Sequence, residues 1–461
     1  MSTIARKHVD LIVKNGFCVT SDSAHPQIPS GSIAIEGGVI VSTGPNDLVA
    51  EQFIANDTID ANGAIVHAGF IDPHVHLTST GFHAFGLDAL ALTGSTYSDL
   101  KCATDEKITS ALAAAFSVAM LRKGFTFFAE AGTVFETDAM ADALTACGVR
   151  ALVAAPYAWD DLSVMRASAP GLIASNILDR APANLNRSIK ACEQELKRNT
   201  NPSVLVQGFV CIYGEGSASD ELIVGAKTLA NEHDTIFNEH LGYLTASYAV
   251  ECEKFGMSGV RRLQRLNALD NLTTLTHLNA ISATDAEILV AEGANAIWCP
   301  LNILQRALFL TNENQQISLF RRGVPVAIAV DTLLSFPLGS PALGASLLAE
   351  ILRQPLSGSD ILCMQTLHAA RCLGFDSRVG SITVGKRADI VIRAMGDITQ
   401  APVALPGNLL GVSASSMPVD TVIVDGRVIM RGGRATIIDE QSVLCEAKRQ
   451  RKRLLRRAGF D

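Results

Sequence analysis

The chain has 461 residues, 48% of them hydrophobic and 18% charged, with a formal net charge of −8. That length and apolar content suit one large α/β domain plus a smaller one, and the modest, dispersed charge excludes a broad electrostatic footprint for nucleic acid or an anionic membrane. Ten cysteines are scattered without a CxxC pair and the opening MSTIARKHVDLIV is polar, so reduced thiols in a cytoplasmic protein are expected, and no apolar stretch is long enough to span a bilayer.

Residues 1–62 read as short strands. VDLIVKNGFCVT and GSIAIEGGVIVSTG are β-branched runs broken by Asn-Gly and Gly-Gly, the mark of hairpins. From 63 to 375 strand and helix alternate. Eight apolar runs end in polar residues, at AIVHAGFIDPHVH, GFTFFAEAG, VRALVAAPYAW, SVLVQGFVCIY, TIFNEHL, LTTLTHL, NAIWCPL and VPVAIAVDT. Between them lie Ala- and Leu-rich stretches with helical spacing, such as KITSALAAAFSVAMLRKG. Eight such units predict an α/β fold, a closed parallel (β/α)8 TIM barrel whose chemistry sits at the C-terminal ends of its strands. Residues 376–440 return to strand texture in ADIVIRAM and VDTVIVDGRVIMRGG, which predicts a small β-sandwich domain built from both chain ends. Residues 441–461 hold the basic run KRQRKRLLRRAGFD without interleaved aromatics, expected as a terminal helix that is solvated or contacts another subunit of a homo-oligomer.

The strand ends carry the chemistry. In GFIDPHVHL, side chains at i and i+2 of a strand point the same way, so His74 and His76 project together. An isolated HxH is commonly two packed histidines. Strand five, however, ends in His240, strand six in His277 and strand eight in Asp331, and a barrel aims all of these into one mouth, where together they predict a metal site. The loop TSTGFHAFGLDALALTG follows the HxH and should overhang the pocket, making Phe82, His83 and Phe85 candidates for an apolar wall, with Tyr157 and Trp159 at the end of strand three. An apolar, aromatic small molecule would suit such a wall, although ordinary packing accounts for these residues equally well.

The set GFIDPHVHL, NEHL, LTHL and AVDT, followed by HAARCLGFDSRVGSITVGKRADIVI, resembles the amidohydrolase superfamily, in its branch of cytosine-deaminase-like and triazine-hydrolase-like enzymes. The resemblance covers nearly the whole chain. It implies that His74, His76, His240 and Asp331 hold one divalent ion, and that His277 touches substrate. Zinc is the first choice by ligand type; iron, manganese and cobalt accept the same donors. The ion would lower the pKa of water, Asp331 would take its proton and pass it to the leaving nitrogen, and His277 would polarise the attacked carbon's substituent. CPLNIL is similar to the family's segment after strand seven, which makes Asn302 a substrate candidate. Strand four has no lysine to bridge a second ion, and Glu130 at the end of strand two is read as a neighbour of the site.

The chain departs from the family at one place. Deaminases and dechlorinases of this branch carry Glu three residues after the fifth-strand histidine, where it protonates a ring nitrogen; this chain reads HLGY, with Tyr243 there. A phenol of ordinary pKa ~10 donates hydrogen bonds but shuttles protons poorly at neutral pH. The expected reaction is therefore hydrolysis of an amide, urea, carbamate or lactam C–N bond, whose carbonyl needs no ring protonation. Deamination of an aminated heterocycle is the alternative, with Glu215 or Glu239 as a replacement acid, Glu239 being disfavoured because it alternates with His240. A catalytically silent scaffold is a third reading, opposed by the complete set of strand-end groups.

Overall fold

The computed structural model describes residues 6–24, 26–79, 94–310, 314–332, 340–394, 406–414 and 417–460. Lys7–Val19, Gln27–Glu36, Val39–Pro45, Phe53–Asp60 and Ile65–Ala68 from the start of the chain join Ile390–Arg393, Val419–Val424, Arg427–Arg431 and Arg434–Ala435 from its end. Their pairing makes one continuous mixed sheet of nine strands, where a sandwich of two sheets was expected. The seam is Ile65–Ala68, which runs parallel to the first strand and antiparallel to Ile390–Arg393, with Ala68 opposite Ile390. Ile33, Ile35, Val66, Ile390, Ile392 and Ile423 bury their β-branched side chains together along it.

The run AIVHAGFIDPHVH is two strands rather than one. Ile65–Ala68 belongs to the small sheet and Phe70–Val75 is the first barrel strand. Gly69 makes the crossing possible, because a Cβ there would stand 2.1 Å from Thr126 Oγ1.

The barrel region is TIM-barrel-like. Phe70–Val75, Phe125–Glu130, Arg150–Val153 and Val206–Gly208 form one parallel sheet; Val210–Ile212, Phe237–Leu241, Thr273–His277, Asn295–Trp298 and Val326–Ile328 form another. The fourth of the eight predicted strands is thus split at Phe209 between the two sheets, its amide still bonded to Val153 O at 3.2 Å. At the other seam a parallel bridge pairs Val75 with Asp331, and Asp331 N donates to His74 O at 2.9 Å. One buried cluster takes Ile71, Phe127, Leu152, Ile297 and Ala327 from five of the strand segments and Phe209 from the split in the fourth strand, so the interior is filled and only the strand ends are left to form a site.

Two contacts tie the rest of the chain to the barrel. Buried Arg150 of strand three donates to Asp389 at 2.8 and 3.0 Å and to Asp425 at 3.1 Å, anchoring the C-terminal strands. The basic tail forms the helix Glu440–Arg457, which packs Leu454 among Leu100, Ile108 and Leu112 and pairs Arg453 and Arg457 with Asp105 at 2.5 and 2.6 Å. Part of its charge is therefore matched within the chain. All ten cysteines are free thiols, and no helix among the described residues is long and apolar enough to cross a membrane.

Candidate metal centre

Strand one delivers His74 and His76 to the barrel mouth, their ring centroids 5.3 Å apart and nearly perpendicular. Asp72 fixes the strand's register at the seam: its Oδ1 accepts His74 N at 3.3 Å and Val330 N at 3.2 Å. The chain turns sharply at the last residue of strand six and three residues beyond strand eight, with His277 at φ 81° and Asp331 at φ 58°. Such left-handed conformations are uncommon for side chains other than glycine and are held here from outside. Gln316 Nε2 donates to His277 O at 2.8 Å, and Asp331 N is held by His74 O.

These turns bring the predicted groups together. Asp331 Oδ1 lies 3.2 Å from His76 Nε2 and 3.7 Å from His74 Nε2. Ligand-capable atoms of His74, His76 and Asp331 lie within 4.8 Å of one another, as do those of His74, His240 and His277, and those of His277, Cys299 and Asp331. Burial pushes His76 and His240 below the ordinary imidazole value and His277 down to about 3, so all three are neutral with lone pairs available. His74 Nε2, His240 Nδ1 and His277 Nδ1 are buried without a hydrogen-bond partner. Unpartnered buried nitrogens are costly, and imidazoles converging on a carboxylate are the donor types that a divalent ion takes.

The remaining sequence candidates fall into three groups. Glu130 is fully buried with both oxygens engaged: its Oε2 accepts Leu77 N at 2.8 Å, and its Oε1 accepts Thr133 N at 3.0 Å and Thr133 Oγ1 at 3.1 Å. Trp159 is fully buried with Nε1 donating to Ala181 O at 2.8 Å, and Tyr157 is 3% exposed. Both pack behind Tyr213, with centroids 5.1 and 5.6 Å from its ring, and it is Tyr213 that stacks on His240 at 5.7 Å. Tyr213 follows strand four, where the polar end of SVLVQGFVCIY marks it as a mouth residue. Phe82, His83 and Phe85 lie outside the described residues.

Tyr243 and Asn302 do meet at the site. The Tyr243 ring is 4.6 Å from that of His277, and its hydroxyl donates to Asn302 Oδ1 at 3.0 Å. Glu215 serves the same loop from behind, its Oε1 accepting Tyr243 N at 2.6 Å. Burial pushes the Glu215 carboxyl up to about 8, and does the same to Glu239, which sits near Glu251 and Arg262. Lys101 and Thr133, absent from the sequence reading, stand beside His76, with Lys101 Nζ donating to Thr133 Oγ1 at 2.6 Å. Their involvement depends on a contact between the helix Gly94–Cys102 and the loop after strand two, which no local pattern announces.

Residues 65–429 match the model of the amidohydrolase family. The chain belongs to that family. Among similar family members, a 5-methylthioadenosine/S-adenosylhomocysteine deaminase of Desulforudis audaxviator is 28% identical over 437 residues, 92% of this chain and 95% of that protein. A 5'-deoxyadenosine deaminase of Methanosarcina mazei is 25% identical over 463 residues, 98% of this chain and 99% of that protein. The fold is that of a zinc-bound adenosine deaminase from Xanthomonas campestris, with TM-score 0.81 and 21% identity over 98% of this chain and 99% of the other. It is also that of a zinc complex of atrazine chlorohydrolase from Arthrobacter aurescens, with TM-score 0.79 and 18% identity over 96% of this chain and all of the other.

Proposed function

We propose that this amidohydrolase-family hydrolase removes the amino group of an aminated nitrogen heterocycle, of the adenine-nucleoside class first, using one divalent ion held by His74, His76, His240 and Asp331. The observation that carries the reading is the convergence of buried imidazoles and Asp331 at the seam of the barrel, with His76 Nε2 3.2 Å from Asp331 Oδ1 and with His74 Nε2, His240 Nδ1 and His277 Nδ1 lacking a hydrogen-bond partner. Zinc fits nitrogen and carboxylate donors of this kind best. When bound, the ion supplies a Lewis acid that makes water nucleophilic near neutral pH. Asp331, as a carboxylate, accepts the water proton and returns it to the departing amine. His277, kept neutral by burial, hydrogen-bonds the group developing at the attacked carbon. Tyr213, stacked on His240, offers a flat face to a planar ring.

The amide-type hydrolysis expected from the sequence now ranks second, because the relatives that span nearly the whole chain are named as deaminases of adenine nucleosides. One observation favours it: Tyr243 takes the place of the ring-protonating glutamate, and its proton is committed to Asn302. A panel of adenosine, 5'-deoxyadenosine, 5-methylthioadenosine, aminated triazines, amides, ureas and carbamates, scored for released ammonia or amine with the zinc-loaded protein, separates the two. Turnover of an aminated heterocycle above all carbonyl substrates supports the proposal; turnover confined to amides, ureas or carbamates overturns it in favour of the second reading.

A further inference from the structure

Lys101 is a buried cation beside the site, 2% exposed. Its ammonium donates to Thr133 Oγ1 at 2.6 Å, and it makes no salt bridge with a carboxylate among the described residues. The same hydroxyl lies 2.6 Å from His76 Nδ1 and donates to Glu130 Oε1 at 3.1 Å. Three groups thus share one threonine oxygen, which has one proton and two lone pairs. An ammonium only donates and a carboxylate only accepts. The hydroxyl proton therefore goes to Glu130, one lone pair receives Lys101, and the remaining lone pair is satisfied only by an N–H on His76 Nδ1. That assignment leaves Nε2 bare, and Nε2 is the atom 3.2 Å from Asp331 Oδ1.

We infer that Lys101 and Thr133 are positioning residues that lock His76 in its Nδ1–H tautomer and so present a bare Nε2 to the divalent ion. The inference rests on the metal reading above. Without the ammonium, the hydroxyl is free to turn its proton onto His76 Nδ1, which moves the ring proton to Nε2 and closes that nitrogen to a metal. Partners of this kind typically set metal affinity within a factor of about 10 to 100. Simple electrostatics gives the opposite sign for Lys101: deleting a buried positive charge near a cation should tighten its binding. The direction of the effect therefore separates a tautomer lock from a nearby charge.

The test is the zinc dissociation constant of the full chain, by chelator competition, for the wild type, Thr133→Val, Thr133→Ser and Lys101→Met, with 15N-histidine spectra of the zinc-loaded proteins. The inference predicts binding about 10 to 100-fold weaker in Thr133→Val, weaker in Lys101→Met, and restored to within about threefold of wild type in Thr133→Ser. It also predicts a wild-type His76 signal with the proton on Nδ1. Unchanged or tighter binding in Lys101→Met, a Thr133→Ser protein as weak as Thr133→Val, or a His76 proton on Nε2 would overturn it. If Thr133→Val does not fold, the serine and methionine variants and the spectrum decide. A wild type that binds no zinc at all sinks the metal reading itself, a result distinct from any of these.

Discussion

Asp331 Oδ1 stands 3.2 Å from His76 Nε2 where the last barrel strand meets the first, so the bridge that joins the seam also brings the carboxylate to the imidazoles. In the proposed mechanism the carboxylate has two duties, ligand and proton carrier. Asp331→Asn keeps the shape and one donor oxygen but removes the proton acceptor. Turnover should fall about 10²–10⁴-fold while KM moves much less. Steady-state kinetics with metal content measured on the same sample checks this, and near-normal turnover would contradict the role.

The loop after strand four is shaped around His240. Gly214 has φ +68°, and a Cβ there would lie 1.9 Å from His240 O, while Glu215 and Gly216 continue the left-handed path at φ 53° and 71°. Gly214→Ala should cost about 1–2 kcal/mol from conformation alone, with the clash added and passed directly to His240. The expected result is a lower unfolding temperature together with weaker zinc binding. A variant that unfolds earlier but binds zinc normally would show that the loop supports the fold without positioning the ligand.

The strand-end groups that the fold brings together were legible in the sequence because strand periodicity is short-range. His74 and His76 share a face by their spacing alone, and each remaining strand end announces itself where an apolar run stops. Groups that act through a partner were not legible. Tyr157 and Trp159 end a strand as a mouth residue would, yet they form the layer behind Tyr213. Glu130 looks like a spare carboxylate until its three donors are seen. The break at Gly69 was hidden because two strands in different sheets read as one continuous apolar run. Glu239 alternates with His240 and sits near Glu251 and Arg262, whereas Glu215 reaches Tyr243 N from a left-handed loop position that only the fold reveals.

Tyr243 can be read by two substitutions. Tyr243→Phe removes the bond to Asn302 Oδ1 and should cost about 0.5–1.5 kcal/mol in stability, measured by urea unfolding. Tyr243→Glu places a carboxyl beside His277 and should raise the rate on aminated heterocycles relative to amides. An unchanged ratio would mean that this position does not choose the reaction.

Glu215 gives a signed pH dependence. Its buried carboxyl is pushed up to about 8, so the folded state keeps a proton that the unfolded chain releases near ~4.3. Stability from this group is fully present below the unfolded value, falls as pH rises toward about 8, and is level above it. Glu215→Gln, which retains an acceptor for Tyr243 N, should flatten that fall. The wild-type slope approaches about 1.4 kcal/mol per pH unit per proton. Urea midpoints at pH 5 and pH 8 for both proteins check it, and equal slopes would contradict the buried-acid assignment.

Anomalous diffraction at the zinc edge, on crystals of the zinc-loaded protein, tests the central claim most directly. One strong peak is expected, about 2.0–2.2 Å from nitrogens of His74, His76 and His240 and from an oxygen of Asp331. A peak elsewhere, two peaks of equal strength in the mouth, or none would contradict a single ion held by those four side chains.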